Sequence, residues 1–258
     1  MDWLQDISAL GPMMALAILA WILSLITRNV GLIDCFWSLF FLSALGVWWS
    51  SLEVPSARAF LLSTLLIVWG LRLSAYLTYR NWGKPEDRRY AAIRARNQPH
   101  YAFKSLIYVF ALQVVLAWII AQPILPTLGS KAPLNSLDIA GCLLFLTGFL
   151  FETIADFQML VFKADPTHGD RVMNRGLWRY SRHPNYFGEA LLWWGIYLIA
   201  VGGEAPFWLI ISPLFMSFLL LRVSGVPMLE DDLKHRKPEY RAYIETTSSF
   251  WPKPPRRS

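Results

Sequence analysis

The sequence predicts an all-α fold, a polytopic integral membrane bundle of about seven transmembrane helices. Three observations predict it. The 258 residues are 55% hydrophobic and only 16% charged, a balance foreign to a water-soluble domain. Apolar runs recur at lengths that match the roughly 20 residues needed to cross a hydrocarbon core. Cationic residues then collect in alternate connections between those runs, the pattern that sets membrane orientation. The abundance of Trp, Phe and Tyr suits aromatic belts at the two interfaces of such a bundle.

The first run, Leu10 to Ile26, follows an acidic start (Asp2, Asp6) rather than the basic start of a secretory signal, so it is expected to persist as a helix. The next runs are Ile33 to Trp49, Ala59 to Tyr79, Leu106 to Ile124 and Ile139 to Phe162, with Pro123 and Pro126 expected to close the fourth. Tyr186 to Val201 and Ala205 to Leu221 are shorter and are joined by Gly202-Gly203-Glu204, which predicts a tilted hairpin. Arg80, Lys84, Arg88, Arg89, Arg94, Arg96 and Lys104 separate the third and fourth runs. Lys163, Arg171, Arg175, Arg179 and Arg182 separate the fifth and sixth, and the tail is basic again. The other connections hold only Arg58 and Lys131. This bias places the N-terminus outside and the C-terminus in the cytoplasm, in the inner membrane of a bacterium or the endoplasmic reticulum of a eukaryote. One membrane domain over residues 1–258 is expected, with a cofactor-binding half at about 139–258 and a substrate side formed by the spans within 10–124.

Charges inside a span cost roughly 2.5–3.5 kcal/mol on insertion scales, so each is a functional candidate. Asp34, Arg72, Glu152, Asp156, Glu189 and Arg222 lie in the spans or at their ends. With the orientation above they gather in the cytoplasmic halves. Glu152, Asp156 and Lys163 follow steps of four and seven and share a helix face. Pro184 suits a first helical turn, which sets Asn185 and Glu189 one turn apart. The basic loop from Lys163 to Pro184 leads into that helix start, where backbone N–H groups and the dipole favour phosphates. The alternative is that its arginines set topology and touch anionic lipid, and that the intramembrane charges pair to hold the bundle.

Other chemistries find no pattern. There is no G-x-G-x-x-G, Walker A or H-E-x-x-H sequence. The four histidines and two cysteines show neither metal-ligand spacing nor a disulfide framework, so no metal is expected. The net charge of +6 is explained by topology, and no nucleic-acid partner and no required protein partner are expected.

The segment Gly176-Leu-Trp-Arg-Tyr-Ser-Arg-His-Pro-Asn-Tyr-Phe-Gly-Glu189 resembles the signature of the steroid 5α-reductase and sterol reductase superfamily, most closely its bacterial-type branch. The resemblance extends to Asp34 and Trp37, to Arg72 through Tyr90, to Leu221-Arg222, and to Glu230, Tyr240 and Tyr243. A shorter R-H-P-x-Y-x-G pattern is shared with membrane methyltransferases of the isoprenylcysteine carboxyl type, which use S-adenosylmethionine. Asn185 and Glu189 look like the reductase version. The resemblance implies NADPH as cofactor, with Asp156, Lys163, Arg179, Arg182, His183, Asn185, Tyr186, Glu189 and Arg222 around it. It implies hydride transfer to a carbon–carbon double bond of a lipid, steroid-like or enone substrate. Asp34 is the first and Tyr76 the second residue expected to supply the acid. A methyltransferase in the same architecture, or a non-catalytic lipid-binding scaffold, is the alternative reading.

Overall fold

The computed structural model describes residues 3–169, 171–223, 230 and 238–256, and every regular element among them is a helix. Five helices are long and apolar enough to cross a membrane: α1 (Leu4–Thr27), α2 (Val30–Ser50), α3 (Ala57–Asn81), α5 (Tyr101–Gly129) and α6 (Ser136–Ala164). A short amphipathic helix, α4 (Arg88–Arg96), occupies the basic connection after α3. Then come α7 (Pro184–Gly202), the 17-residue apolar helix α8 (Phe207–Val223) and α9 (Glu239–Thr246). The five long helices make the chain an integral membrane protein by length and composition.

The contacts divide the chain into two compact units, one of Met1–Asp138 with Ile199–Ser212, the other of Ile139–Leu198 with Pro213–Ser258. In the first unit α2 is the central helix. Half of its apolar window is buried, against a third or less for α1, α3 and α5. Phe40, Phe41 and Trp48 of α2, Leu62, Leu66 and Trp69 of α3, and Phe110 of α5 form its core. Ser38 Oγ donates to the Gly70 carbonyl (2.7 Å), a polar tie between α2 and α3 that leaves no donor facing lipid.

Two features of this unit differ from the sequence expectation. Pro123 does not end the fourth span, because the chain re-enters a helix at Ile124 and continues to Gly129. Proline is tolerated there since it stands at the start of the new turn, where its missing N–H costs little. Thr127 Oγ1 donates back to the Pro123 carbonyl (2.6 Å) and Ser212 Oγ to that of Ile120 (2.5 Å), so hydroxyls satisfy the carbonyls around the break. The second is Arg58, which is 1% exposed rather than sitting in an open connection. Its guanidinium donates to both Asp138 oxygens (2.8 Å each), to Ser130 Oγ, and to the carbonyls of Ala132, Pro133 and Gly202. A buried cation is stable only when its donors are matched in this way.

In the second unit α6 and α7 approach to backbone contact. A Cβ on Gly188 would lie 2.5 Å from the Gly148 carbonyl oxygen and from the Glu152 nitrogen. A Cβ on Gly195 would lie 2.6 Å from the Gly141 oxygen. Gly141 and Gly148 on α6, and Gly188 and Gly195 on α7, repeat every seven residues, so one small-residue seam on each helix meets the other. The opposite face of α6 exposes Leu143, Leu150, Ile154, Phe157 and Val161, a stripe suited to lipid.

Candidate functional site

The close seam determines the site. With no side chain on Gly188, the first turns of α7 lie directly against the turn of α6 that carries Glu152 and Asp156. Both carboxylates are buried, as is Glu189. Asn185 Nδ2 donates to Asp156 Oδ1 (3.2 Å). A carboxylate beside it can only accept, so the amide orientation is fixed by chemistry, and Asn185 Oδ1 is left as the remaining acceptor. That oxygen is buried and has no hydrogen-bond partner.

The loop before α7 is held from three sides. Gly176 takes a positive φ of 57° and passes over Gln158, whose Oε1 accepts from the Leu177 N–H (3.0 Å). Trp178 Nε1 donates to the Ala155 carbonyl (3.0 Å), seating the loop on α6. Tyr243 of α9 reaches back, its hydroxyl donating to the Trp178 carbonyl. Beyond α9 the Pro-rich strap runs along the loop: Arg182 N–H donates to the Ser248 carbonyl (2.8 Å), Ser181 Oγ to that of Phe250 (2.8 Å), and Lys253 N–H to that of Tyr180 (2.9 Å). Phe187 packs edge-on against Phe250 and Trp251.

Arg182 is the centre of this arrangement. Its Nε and Nη2 donate to the two Glu230 oxygens (2.7 and 3.1 Å), and its Nη1 to the carbonyls of Ile244 and Thr247 at the end of α9. A bidentate pair with a guanidinium that also caps a helix C-terminus is a strong, geometrically specific tie. His183 Nε2 lies 3.2 Å from Glu230 Oε1, and its ring stacks on Tyr186. Burial pushes the Glu230 carboxyl up, but the bonds from His183 and Arg182 outweigh it and hold it at about 2. Burial also pushes the His183 imidazole below its ordinary value, against the pull of Glu230. Neutral His183 therefore presents an Nε2–H donor to a carboxylate that Arg182 keeps ionised. Tyr240 and Tyr243, buried beside this pair, are raised above the ordinary phenol range.

Of the residues predicted from sequence, the structure groups Asp156, Arg182, His183, Asn185, Tyr186 and Glu189 around the loop and the start of α7. Arg179 is exposed on the same loop, and Lys163 and Arg222 are exposed near the ends of α6 and α8. Asp34 and Tyr76 lie in the first unit. Asp34 accepts from the Tyr90 hydroxyl (2.5 Å) and from Arg89 (3.3 Å), while the Arg80 guanidinium sits over the Tyr76 ring. Sequence reasoning counted Glu152 among the functional candidates and Glu230 within the resemblance, but gave neither a role at the site. Glu152 had a signal, its four-residue spacing from Asp156. Glu230 had only the family pattern, since it is 48 residues from its partner Arg182.

A carboxamide fits the Asn185 position: its N–H would meet the unpartnered Oδ1, and the buried carboxylates Glu152 and Glu189 flank the same turns. The residues present therefore suit a ligand that brings an N–H donor to this oxygen. Among the described residues no group of three His, Cys, Asp or Glu is placed to hold a metal.

A family model described as "Protein of unknown function (DUF1295)" matches residues 20–247. An uncharacterized protein of Schizosaccharomyces pombe is 27% identical over 269 residues, covering 90% of this chain and 75% of that protein. No solved structure matches the chain.

Proposed function

The chain belongs to the DUF1295 family, and on that premise we propose that it is an NADPH-dependent membrane reductase acting on a carbon–carbon double bond of a lipid, steroid-like or enone substrate. The observation that carries this reading is Asn185. Its amide is oriented by Asp156, its carbonyl oxygen is buried without a partner, and Glu189 follows one turn later. A residue so placed binds an amide N–H and fixes the plane of the group that carries it, which is what hydride transfer needs from a protein.

Held at Asn185 and Glu189, NADPH would supply a hydride to one carbon of the double bond, and a proton donor of the chain would complete the two-electron reduction at the other. Asp34 and Tyr76 are the proposed donors of that proton; Tyr76 carries a hydroxyl to give, whereas both Asp34 oxygens accept, from Tyr90 and Arg89. Arg182 acts through the loop it fixes, since its donors are directed to Glu230 and α9. Exposed Arg179 and Lys163 supply positive charge for the phosphates, with Arg222. The charge bias supports a seven-span topology in which α7 and α8 form a tilted hairpin and the C-terminus faces the cytoplasm.

Calorimetric titration of the detergent-purified chain with NADPH, NADH and S-adenosylmethionine tests this. Saturable NADPH binding that falls by about tenfold or more in Asn185→Ala, as expected for a lost hydrogen bond in a buried site, supports the reductase. Binding of S-adenosylmethionine alone makes the protein a methyltransferase. A folded chain that binds none of the three refutes the proposal.

A further inference from the structure

A cavity of about 450 Å³ opens in the first unit, where α1 ends and α5 begins. Two spans that terminate together mark one membrane interface, so the cavity lies at headgroup depth. Its lining includes Ser24, Leu25, Arg28, Arg94, Tyr101 and Ser105. None of these residues belongs to the dinucleotide reading.

The polar groups of the wall divide into those already engaged and those that are not. Ser24 and Ser105 donate to carbonyls of their own helices, Trp21 and Ala102. Arg94 holds Glu86 with Nε and Nη2 (2.9 and 2.7 Å) and lays its guanidinium over the Tyr101 ring at 4.8 Å. Glu86 also accepts the Val30 N–H (2.8 Å), so this pair is anchored to the start of α2. Two donors remain. The Tyr101 side chain is 2% exposed, and its hydroxyl has no hydrogen-bond partner. Arg28, whose backbone ends α1 in a left-handed turn (φ 53°), has no ion-pair partner among the described residues.

An orphaned buried hydroxyl costs about 1–3 kcal/mol unless something accepts from it. An oxyanion does so, and Arg28 supplies the countercharge. Beside the cavity the two helices carry exposed apolar side chains. Trp21 ties α1 to α5 through its Nε1 bond to the Ala102 carbonyl (2.8 Å) and its contact with Phe103, and Ile22, Ile26, Phe103 and Ile107 are exposed along the two helices. A cationic, hydroxyl-bearing cavity at the ends of two helices with exposed apolar faces matches an amphiphile with an anionic head. We propose that this cavity is a binding site for the phosphoester group of an anionic membrane lipid, with Arg28 and the Tyr101 hydroxyl as its ligands.

The test is native mass spectrometry of the delipidated full chain. It is titrated with short-chain phosphatidylglycerol, with phosphatidylcholine of the same chain length, and with glycerol 3-phosphate as competitor. The wild type should prefer phosphatidylglycerol, and Arg28→Gln and Tyr101→Phe should each weaken it by about fivefold, the effect of one cation or one charge-assisted hydrogen bond near the surface. Tyr101→Phe removes a hydroxyl that holds nothing in the protein, so its melting temperature in lipid-free detergent should equal or exceed that of the wild type. No displacement by glycerol 3-phosphate identifies a lipid, whereas full displacement identifies a free phosphoester at the same ligands. Equal binding of the two lipids, or unaltered affinity in both variants, overturns the proposal.

Discussion

Gly188→Ala isolates the seam between α6 and α7. The added Cβ would stand 2.5 Å from two backbone atoms and 2.9 Å from Glu152 Cβ, about 0.9 Å short of ordinary contact at 3.4 Å. The two backbone obstacles belong to the middle of a helix and cannot rotate away. α7 must therefore lift from α6, along the stretch where Asn185 meets Asp156. Overpacking of this kind costs roughly 1–3 kcal/mol, and the upper half applies where the neighbour is backbone. At about 2–4 °C per kcal/mol for a chain of this size, melting should fall by about 4–12 °C. Gly46→Ala is the control, because its Cβ would meet nothing within 4 Å. It should be neutral or stabilising by up to about 1 kcal/mol, the ordinary gain of alanine over glycine in a helix. Thermal unfolding of both variants in one detergent decides the matter. Equal melting temperatures for Gly188→Ala and wild type, or an equal loss in Gly46→Ala, would refute the close-seam argument.

Arg58→Ala should destabilise by about 3–5 kcal/mol, since it leaves Asp138 buried beside carbonyls with no cation; the same thermal assay reads it, and a loss below about 1 kcal/mol would contradict the burial. Glu230 gives a pH signature. Its carboxyl is held at about 2 in the folded chain against an ordinary 4.5, so its stabilisation is complete above pH 4.5 and disappears as pH falls toward 2. The linkage is worth at most about 3 kcal/mol, and solvent screening reduces it to roughly 1–2 kcal/mol. Acid unfolding of Glu230→Gln should accordingly lack this part of the transition, and a curve parallel to wild type would count against it.

The first five spans were legible because hydrophobicity is a local property and each run is close to the length that crosses the membrane, the helices built on them being 21–29 residues long. The start of α7 was legible for a related reason: Pro184, Asn185 and Glu189 are within two turns of one another. Arg58 shows where this ends. Its partner Asp138 is 80 residues away, and nothing near either residue announces the other. A lone arginine between apolar runs reads as a topology marker, while its burial depends on six acceptors that only folding assembles. Pro123 failed in the opposite direction. The local rule that proline closes a helix was outweighed by hydroxyls from Thr127 and Ser212, one of them distant in sequence.

The strap over the signature loop has a consequence for biosynthesis. Ser181 and its acceptor Phe250 are 69 residues apart, and Arg182 and Thr247 are 65 apart. At ribosomal rates of about 5–20 residues per second, the loop is made several seconds before the segment that engages it. During that interval the Arg182 guanidinium has neither Glu230 nor the α9 carbonyls to bind. It therefore stays in water or among lipid headgroups while α7 and α8 are being placed. By the charge rule that orients membrane loops, an unengaged cation at that position is expected to favour retention of the loop on its side of the membrane until the strap arrives. The residue that organises the finished site thus serves first as a guide for its insertion.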